Sequence, residues 1–295
     1  MIVVEFLKAI LYGIVEGITE WLPVSSTGHL ILLQEWLPFA FTDDPLLLAE
    51  FGEMFEVVIQ LGAILAVVVL FWHKLWPFSA KKSVVEKRET WSLWFKVLIA
   101  SLPAAIMGIL GDKLIEKLTG KDIDGWIFNA TVVAIALIVY GIAFIVIEKF
   151  HKPEQIRVET VADITYKKAF FVGLFQMLAM VPGTSRSGST ILGSMLLGLS
   201  RPAAAEFSFF MAIPVMVGAS GIKVLGFLSF LGESGADMTL AAWGILAVAC
   251  TVSFAVSMVA IRFLTDFVKR HSFAPFGVYR ILLGVFVILY FLLVK

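Results

Sequence analysis

The sequence predicts an all-α integral membrane protein: six transmembrane helices plus two re-entrant helical hairpins, arranged as an inverted-topology repeat. Three observations predict it. Of the 295 residues 60% are hydrophobic and 16% charged, where a soluble domain carries roughly a quarter charged residues; mean hydropathy is +0.95. Several apolar runs reach the roughly 20 residues that carry a helix across a bilayer. Finally, two interrupted apolar segments in the two halves of the chain align with each other.

The first element, about 6–34, is apolar but broken by Pro23-Val24-Ser25-Ser26-Thr27-Gly28. Backbone that leaves the helix at membrane depth must be buried in protein or line a polar cavity, so the segment is expected to be a re-entrant hairpin. Glu5, Glu16 and Glu20 interrupt what would be the apolar stretch of a cleavable leader, so none is expected. Three spans follow at about 56–73, 94–111 and 126–147. The second broken segment, about 168–199, carries Pro182-Gly183-Thr184-Ser185-Arg186-Ser187-Gly188-Ser189, and spans at about 207–230, 240–264 and 276–294 complete the chain.

Loop charges orient these elements. Residues 73–96 hold Lys74, Lys81, Lys82, Lys87, Arg88 and Lys96 against two acids, and 265–280 hold Lys269, Arg270 and Arg280 against Asp266; both are expected on the cytoplasmic side. Residues 35–55 have five acids and no Lys or Arg, and 231–239 hold Glu233 and Asp237; these are expected outside. The connections 112–125 and 148–168 are mixed.

Residues 1–295 form a single membrane domain with repeats at about 1–150 and 165–295. Shifting 8–31 by 160 places Lys8, Ala9, Gly13, Ser25, Gly28 and Ile31 on Lys168, Ala169, Gly173, Ser185, Gly188 and Ile191. A shift of 156 places Ala49-Glu50-Phe51 on Ala205-Glu206-Phe207. Three spans between the hairpins make the second enter from the opposite face, the arrangement that brings two broken helices together at a polar site. Net charge is +0, so nothing points to nucleic acid. Cys250 is the only cysteine, which excludes an internal disulfide and a cysteine metal cluster.

Glu16 and Glu20, four apart, share a helix face and repel in an apolar setting, a conflict that a divalent cation (Mg²⁺ or Ca²⁺) or a proton removes. Pro23 ends that helix; Ser25, Ser26, Thr27 and Gly28 open the next, with free N–H groups suited to an anion. The second break repeats the design with Thr184, Ser185, Ser187 and Gly188. It adds Arg186, whose planar fork matches phosphate better than it matches a snorkelling role. Under the 160 shift Glu16 falls on Gln176, Glu20 on Met180, Ser26 on Arg186 and His29 on Ser189. The first half thus holds the acids, the candidate nucleophile Ser26 and the candidate base His29, and the second the cationic clamp. His29 could serve Ser26 as base or attack phosphorus itself, and a metal-bound water is the third candidate nucleophile. His73, His151 and His271 lie in connections and are expected to be solvated.

EGITEWLPVSSTGHLI and VPGTSRSGSTI resemble the two motifs of the bacitracin-resistance undecaprenyl-pyrophosphate phosphatases, the BacA/UppP family. FEVVIQLGAILAV and RPAAAEFSFFMAIP are similar to further family segments, so the resemblance covers essentially the whole chain. It extends to Glu16, Glu20, Ser26, His29 and Arg186. It implies hydrolysis of undecaprenyl pyrophosphate to the monophosphate and inorganic phosphate, carrier recycling for peptidoglycan synthesis, and bacitracin resistance. It also implies a divalent cation and a site in the bacterial inner membrane opening to the periplasmic side. The partners implied are the lipid pyrophosphate and membrane lipid, with a homodimer left open. The rival class is a transporter or flippase of a phosphorylated isoprenoid lipid, which needs the clamp but no nucleophile.

Overall fold

The computed structural model describes residues 2–111, 117, 129–152 and 156–294. Most of the connection 112–125, and the first residues of the span expected at 126–147, lie outside the described residues. Among those described the chain is helical; one isolated parallel bridge, Val158 to Leu199, is the sole extended pairing.

The helices are α1 (Ile2–Thr19), α2 (Ser26–Trp36), α3 (Pro45–Leu70), α4 (Trp72–Leu75), α5 (Val84–Ile106) and α6 (Ala130–Phe150). In the second half α7 (Tyr166–Met177), α8 (Arg186–Leu196), α9 (Arg201–Ser234), α10 (Leu240–Phe267) and α11 (Ala274–Leu293) follow. Short polar side chains start most of them: Asp44, Asn129, Thr165, Ser200 and Thr239 each accept a backbone N–H of the first turn. Ser83 and Glu86 form a reciprocal capping box at α5.

Among the described residues five helices are long and apolar enough to cross a membrane: α3, α6, α9, α10 and α11. The sixth expected span, 94–111, is not among them. That stretch belongs to α5 and a π-helical turn at Met107–Gly111, and α5 is less apolar than the five. Its first turns carry Glu86, Lys87, Arg88 and Glu89, and Lys96 is buried, donating to the Ala162 carbonyl at 2.8 Å. The helix that holds most of the expected span 56–73 begins eleven residues before it, where Asp44 and Pro45 nucleate α3 and bring Glu50 and Glu53 into the helix.

Small residues set the packing, as in membrane interiors where close backbone contact substitutes for a hydrophobic drive. A side chain at Gly13 or Gly17 of α1 would meet the Ala249 or Ser253 carbonyl of α10, at 2.5 and 2.8 Å. In the other half, a side chain at Gly173 of α7 would overlap the Ala100 carbonyl of α5. Each half therefore lays its first helix on a helix of the other, α1 on α10 and α7 on α5. At the centre α6 and α11 cross through Gly141 and Gly277, where an added Cβ on either meets the other's carbonyl at 2.7 Å. Near their ends Arg201 binds Glu148 through Nε at 2.9 Å and Nη2, and Glu148 also accepts the Phe273 N–H at 2.6 Å. His151, three residues beyond Glu148, is buried rather than solvated, correcting the sequence expectation. His73 and His271 are exposed as expected.

Gly62 of α3 is the tightest of these sites, because an added Cβ would overlap the Cys250 backbone of α10. Gly62→Ala is expected to destabilise the protein by about 1–3 kcal/mol, the usual range for overpacking. The measurement is thermal melting in detergent, with Gly52→Ala, whose Cβ would meet nothing, as the comparison.

Candidate active site

Two serines at the breaks share an unusual backbone. Ser25 and Ser185 have φ of 74° and 72°, the only positive values among described non-glycine residues. Such conformations cost on the order of 1–3 kcal/mol each and cluster where function over-determines the backbone. Each serine caps the helix it precedes: Ser25 Oγ accepts the Gly28 N–H at 3.3 Å and Ser185 Oγ the Gly188 N–H at 3.1 Å. The capped helices, α2 and α8, both run 11 residues and are offset by 160 at each end. In the second break Gly183 also takes positive φ, 90°, where a side chain would overlap the Val133 backbone.

The breaks meet through Glu20. Its Oε1 accepts Arg186 Nη2 at 3.0 Å, its Oε2 accepts the Ser26 hydroxyl at 3.0 Å, and its carbonyl accepts the Ser187 hydroxyl at 3.0 Å. Both members of the ion pair are nearly buried, so this is a strong charge-assisted contact. Arg186 Nη1 donates to the Ser208 carbonyl at 2.6 Å and the guanidinium lies 5.8 Å from the Trp21 ring centroid. Its Nε–H is buried without a partner among the described residues. That leaves one donor of the fork free for an incoming oxygen.

The remaining expected residues divide. Ser25, Thr184, Ser187 and Gly188 are buried around the breaks or just beneath them, and Ser26, Thr27, Ser185 and Arg186 are partly open. Ser185 and Ser187 hydroxyls lie 3.1 Å apart. His29 is not the partner of Ser26. Its Nδ1 bonds the Ser25 carbonyl at 2.7 Å, its Nε2 meets the Tyr279 hydroxyl at 2.6 Å, and the two rings stack at 5.6 Å. Because a carbonyl only accepts, Nδ1 carries a proton and donates to Ser25, and in the neutral ring Nε2 is then the acceptor for Tyr279.

Arg280 corrects the sequence reading most. Counted there among cytoplasmic loop charges, it is fully buried in α11. Nη1 donates to the Pro23 carbonyl at 3.1 Å, and Nη2 to those of Gly183 and Thr184 at 2.7 and 2.8 Å. An isolated arginine near a helix start looks like an interfacial charge, because hydropathy cannot report which side of the helix it leaves. Only the spacing was informative: Arg280 sits six residues into α11. Tyr279 was missed for the same reason. Gln176 enters the sequence reading only as the counterpart of Glu16, yet it too is buried, with its amide unpaired among the described residues.

Glu16 is fully buried and neither carboxylate oxygen has a hydrogen-bond partner among the described residues. Orphaned buried oxygens of this kind require a proton, water or cation. Hard divalent cations take carboxylate oxygens, so Glu16 fits that role. Glu20 fits it less freely, since both its oxygens are engaged. Among the described residues no group of three or more His, Cys, Asp or Glu side chains forms a metal cage.

Residues 9–286 match the family model described as "Bacitracin resistance protein BacA". Among curated proteins, the undecaprenyl-diphosphatase of Lactococcus lactis subsp. cremoris (strain SK11) is 50% identical over 294 residues, covering 97% of each chain. That of Enterococcus faecalis is 50% identical over 289 residues, again with 97% of each covered. A third, from Acetivibrio thermocellus, is 49% identical over 291 residues, covering 99% of each.

Proposed function

The chain belongs to the BacA bacitracin resistance family, and from that premise we propose that it is an undecaprenyl-diphosphatase. It removes the terminal phosphate of undecaprenyl pyrophosphate in the bacterial inner membrane, recycling the carrier for peptidoglycan synthesis and conferring bacitracin resistance. The observation that carries this reading is Glu20, which holds the Ser26 hydroxyl with one oxygen and Arg186 with the other. Nucleophile, base and clamp are thereby in one hydrogen-bonded chain.

The terminal phosphoryl group binds at the starts of α2 and α8, its oxygens taking Arg186 and free backbone N–H groups. Ser26 Oγ attacks phosphorus and its proton passes to Glu20. The bond from phosphorus to the bridging oxygen breaks, and undecaprenyl phosphate leaves with the electron pair. Water then attacks the phosphoserine, releasing inorganic phosphate and restoring the hydroxyl. Tyr279 and the Ser25 carbonyl hold His29 beside this centre. A Mg²⁺ or Ca²⁺ ion held at Glu16, with Glu20 near, would offset charge on the pyrophosphate oxygens.

The same proposal includes six spans, with α5 as the sixth, and α1–α2 and α7–α8 as re-entrant hairpins of an inverted repeat. The shared Ser25 and Ser185 conformation and the exchange of first helices between halves support it. Release of phosphate from the lipid by detergent-solubilised protein tests the function, because a transporter or flippase has nothing to cross there. Absence of release would turn the reading to transport. Orientation has its own test. Cysteines placed at 43 and 236 in a Cys250→Ser background are expected to label from the periplasmic side of intact cells, and one at 82 only after lysis. Labelling at 82 from outside would overturn the orientation.

A further inference from the structure

We infer that Arg280 is a positioning residue for the phosphate site, acting through the backbone of both breaks. The inference rests on the phosphatase reading above. Arg280 is wholly buried yet makes no ion pair to a carboxylate among the described residues; its guanidinium lies 5.5 Å from the Tyr140 ring centroid and bonds only to carbonyls. A buried charge without a counter-ion is disfavoured as a plain brace, and an apolar or amide side chain would fill the space with less desolvation.

Its three acceptors explain why a fork is needed. Pro23 belongs to the first break, and Gly183 and Thr184 to the second, so one planar group spans both. The peptide unit is planar and trans, so a carbonyl drawn toward Arg280 turns the following N–H the opposite way. Two of those N–H groups close the turns themselves: Val24 donates to Leu22 at 2.7 Å and Thr184 to Val181 at 3.1 Å. The third, Ser185 N–H, follows the Thr184 carbonyl and meets no acceptor among the described residues. It precedes Arg186 directly and belongs to the strained residue with φ of 72°. Arg280 therefore aims a free donor at the start of α8 and fixes it relative to Ser25 and Ser26. Its charge lies under that helix start too, since a Cβ on Gly188 would come 3.0 Å from Nη1.

The test is Arg280→Lys, which keeps the charge but cannot reach three carbonyls, with Arg280→Gln as a second variant. Both are assayed with undecaprenyl pyrophosphate in detergent beside melting temperature. The expected result in a folded variant is kcat lower by about 100-fold, the scale of losing one oriented donor. KM should stay within about threefold, because the donor acts on charge that develops at phosphorus. Guanidinium ion should restore part of the turnover to Arg280→Gly, and ammonium ion should not. Wild-type kcat in either folded variant overturns the inference, as does a raised KM at unchanged kcat. Failure of every variant to fold, or a lowered melting temperature with normal kcat, would make Arg280 a folding residue and overturn it as well. A wild-type protein without turnover sinks the phosphatase reading first, and is recognised because the variants then have no activity to compare.

Discussion

Replacing Arg186 by lysine is expected to lower phosphate release roughly 10²- to 10³-fold, the scale set by removing an oriented transition-state donor. The guanidinium serves Glu20 and Ser208 at once and keeps Nε–H free. A lysine ammonium is a single point on a flexible stem and cannot hold those directions together. It can still neutralise Glu20, so the protein should remain monodisperse and fold normally. Removing the charge is harsher: Arg186→Met would leave Glu20 buried and unpaired, at a cost of about 3–5 kcal/mol. Steady-state kinetics in detergent, with melting of each variant, separates the two. Turnover within threefold of wild type in Arg186→Lys would take the residue out of the phosphate site.

The second large effect separates two carboxylates that the sequence treats alike. Glu16→Gln should raise the divalent cation concentration needed for half-maximal rate by at least tenfold, since both Glu16 oxygens are buried and unclaimed. Glu20→Gln should behave as a catalytic lesion: it removes the acceptor for the Ser26 proton and the partner of Arg186, so added metal should not restore its rate. Ser26→Ala should share that insensitivity, with turnover down by orders of magnitude and the metal requirement unchanged. The readout is a metal titration of each variant after chelation. An unchanged metal requirement in Glu16→Gln would leave that carboxyl as a proton carrier.

Much of the candidate site was legible because membranes punish polarity: two acids, an arginine and two Pro/Ser/Gly breaks within apolar runs need a reason. The correspondence at an offset of 160 was legible too, and Ser25 and Ser185, 160 apart, take similar positive φ before helices of equal length. Other parts were not. Arg280 and Lys96 were assigned to loops or interfaces because a one-dimensional charge pattern is blind to the inward face of a helix. The pairing of Ser26 with Glu20 instead of His29 was hidden as well. Spacing places His29 one turn from Ser25, but only the fold brings Tyr279 across 250 positions to occupy its second nitrogen. The start of α5 was hidden for a different reason: a charged, capped first turn continues into apolar sequence without a break.

The exchange of first helices has a consequence for biogenesis. The partner of α1 is α10, which begins about 220 residues after α1 ends. At synthesis rates of about 5–20 residues per second, that separation is roughly 11–44 s of translation. During that interval α1 and α2, with Glu16, Glu20 and a strained serine, can pack on α3 but lack the α10 face that Gly13 and Gly17 fit. The nascent first hairpin is therefore a natural client for the insertion machinery or a membrane chaperone. A ribosome stalled before residue 240 should hold it in a state that outside proteases cut, and release of the full chain should end that sensitivity.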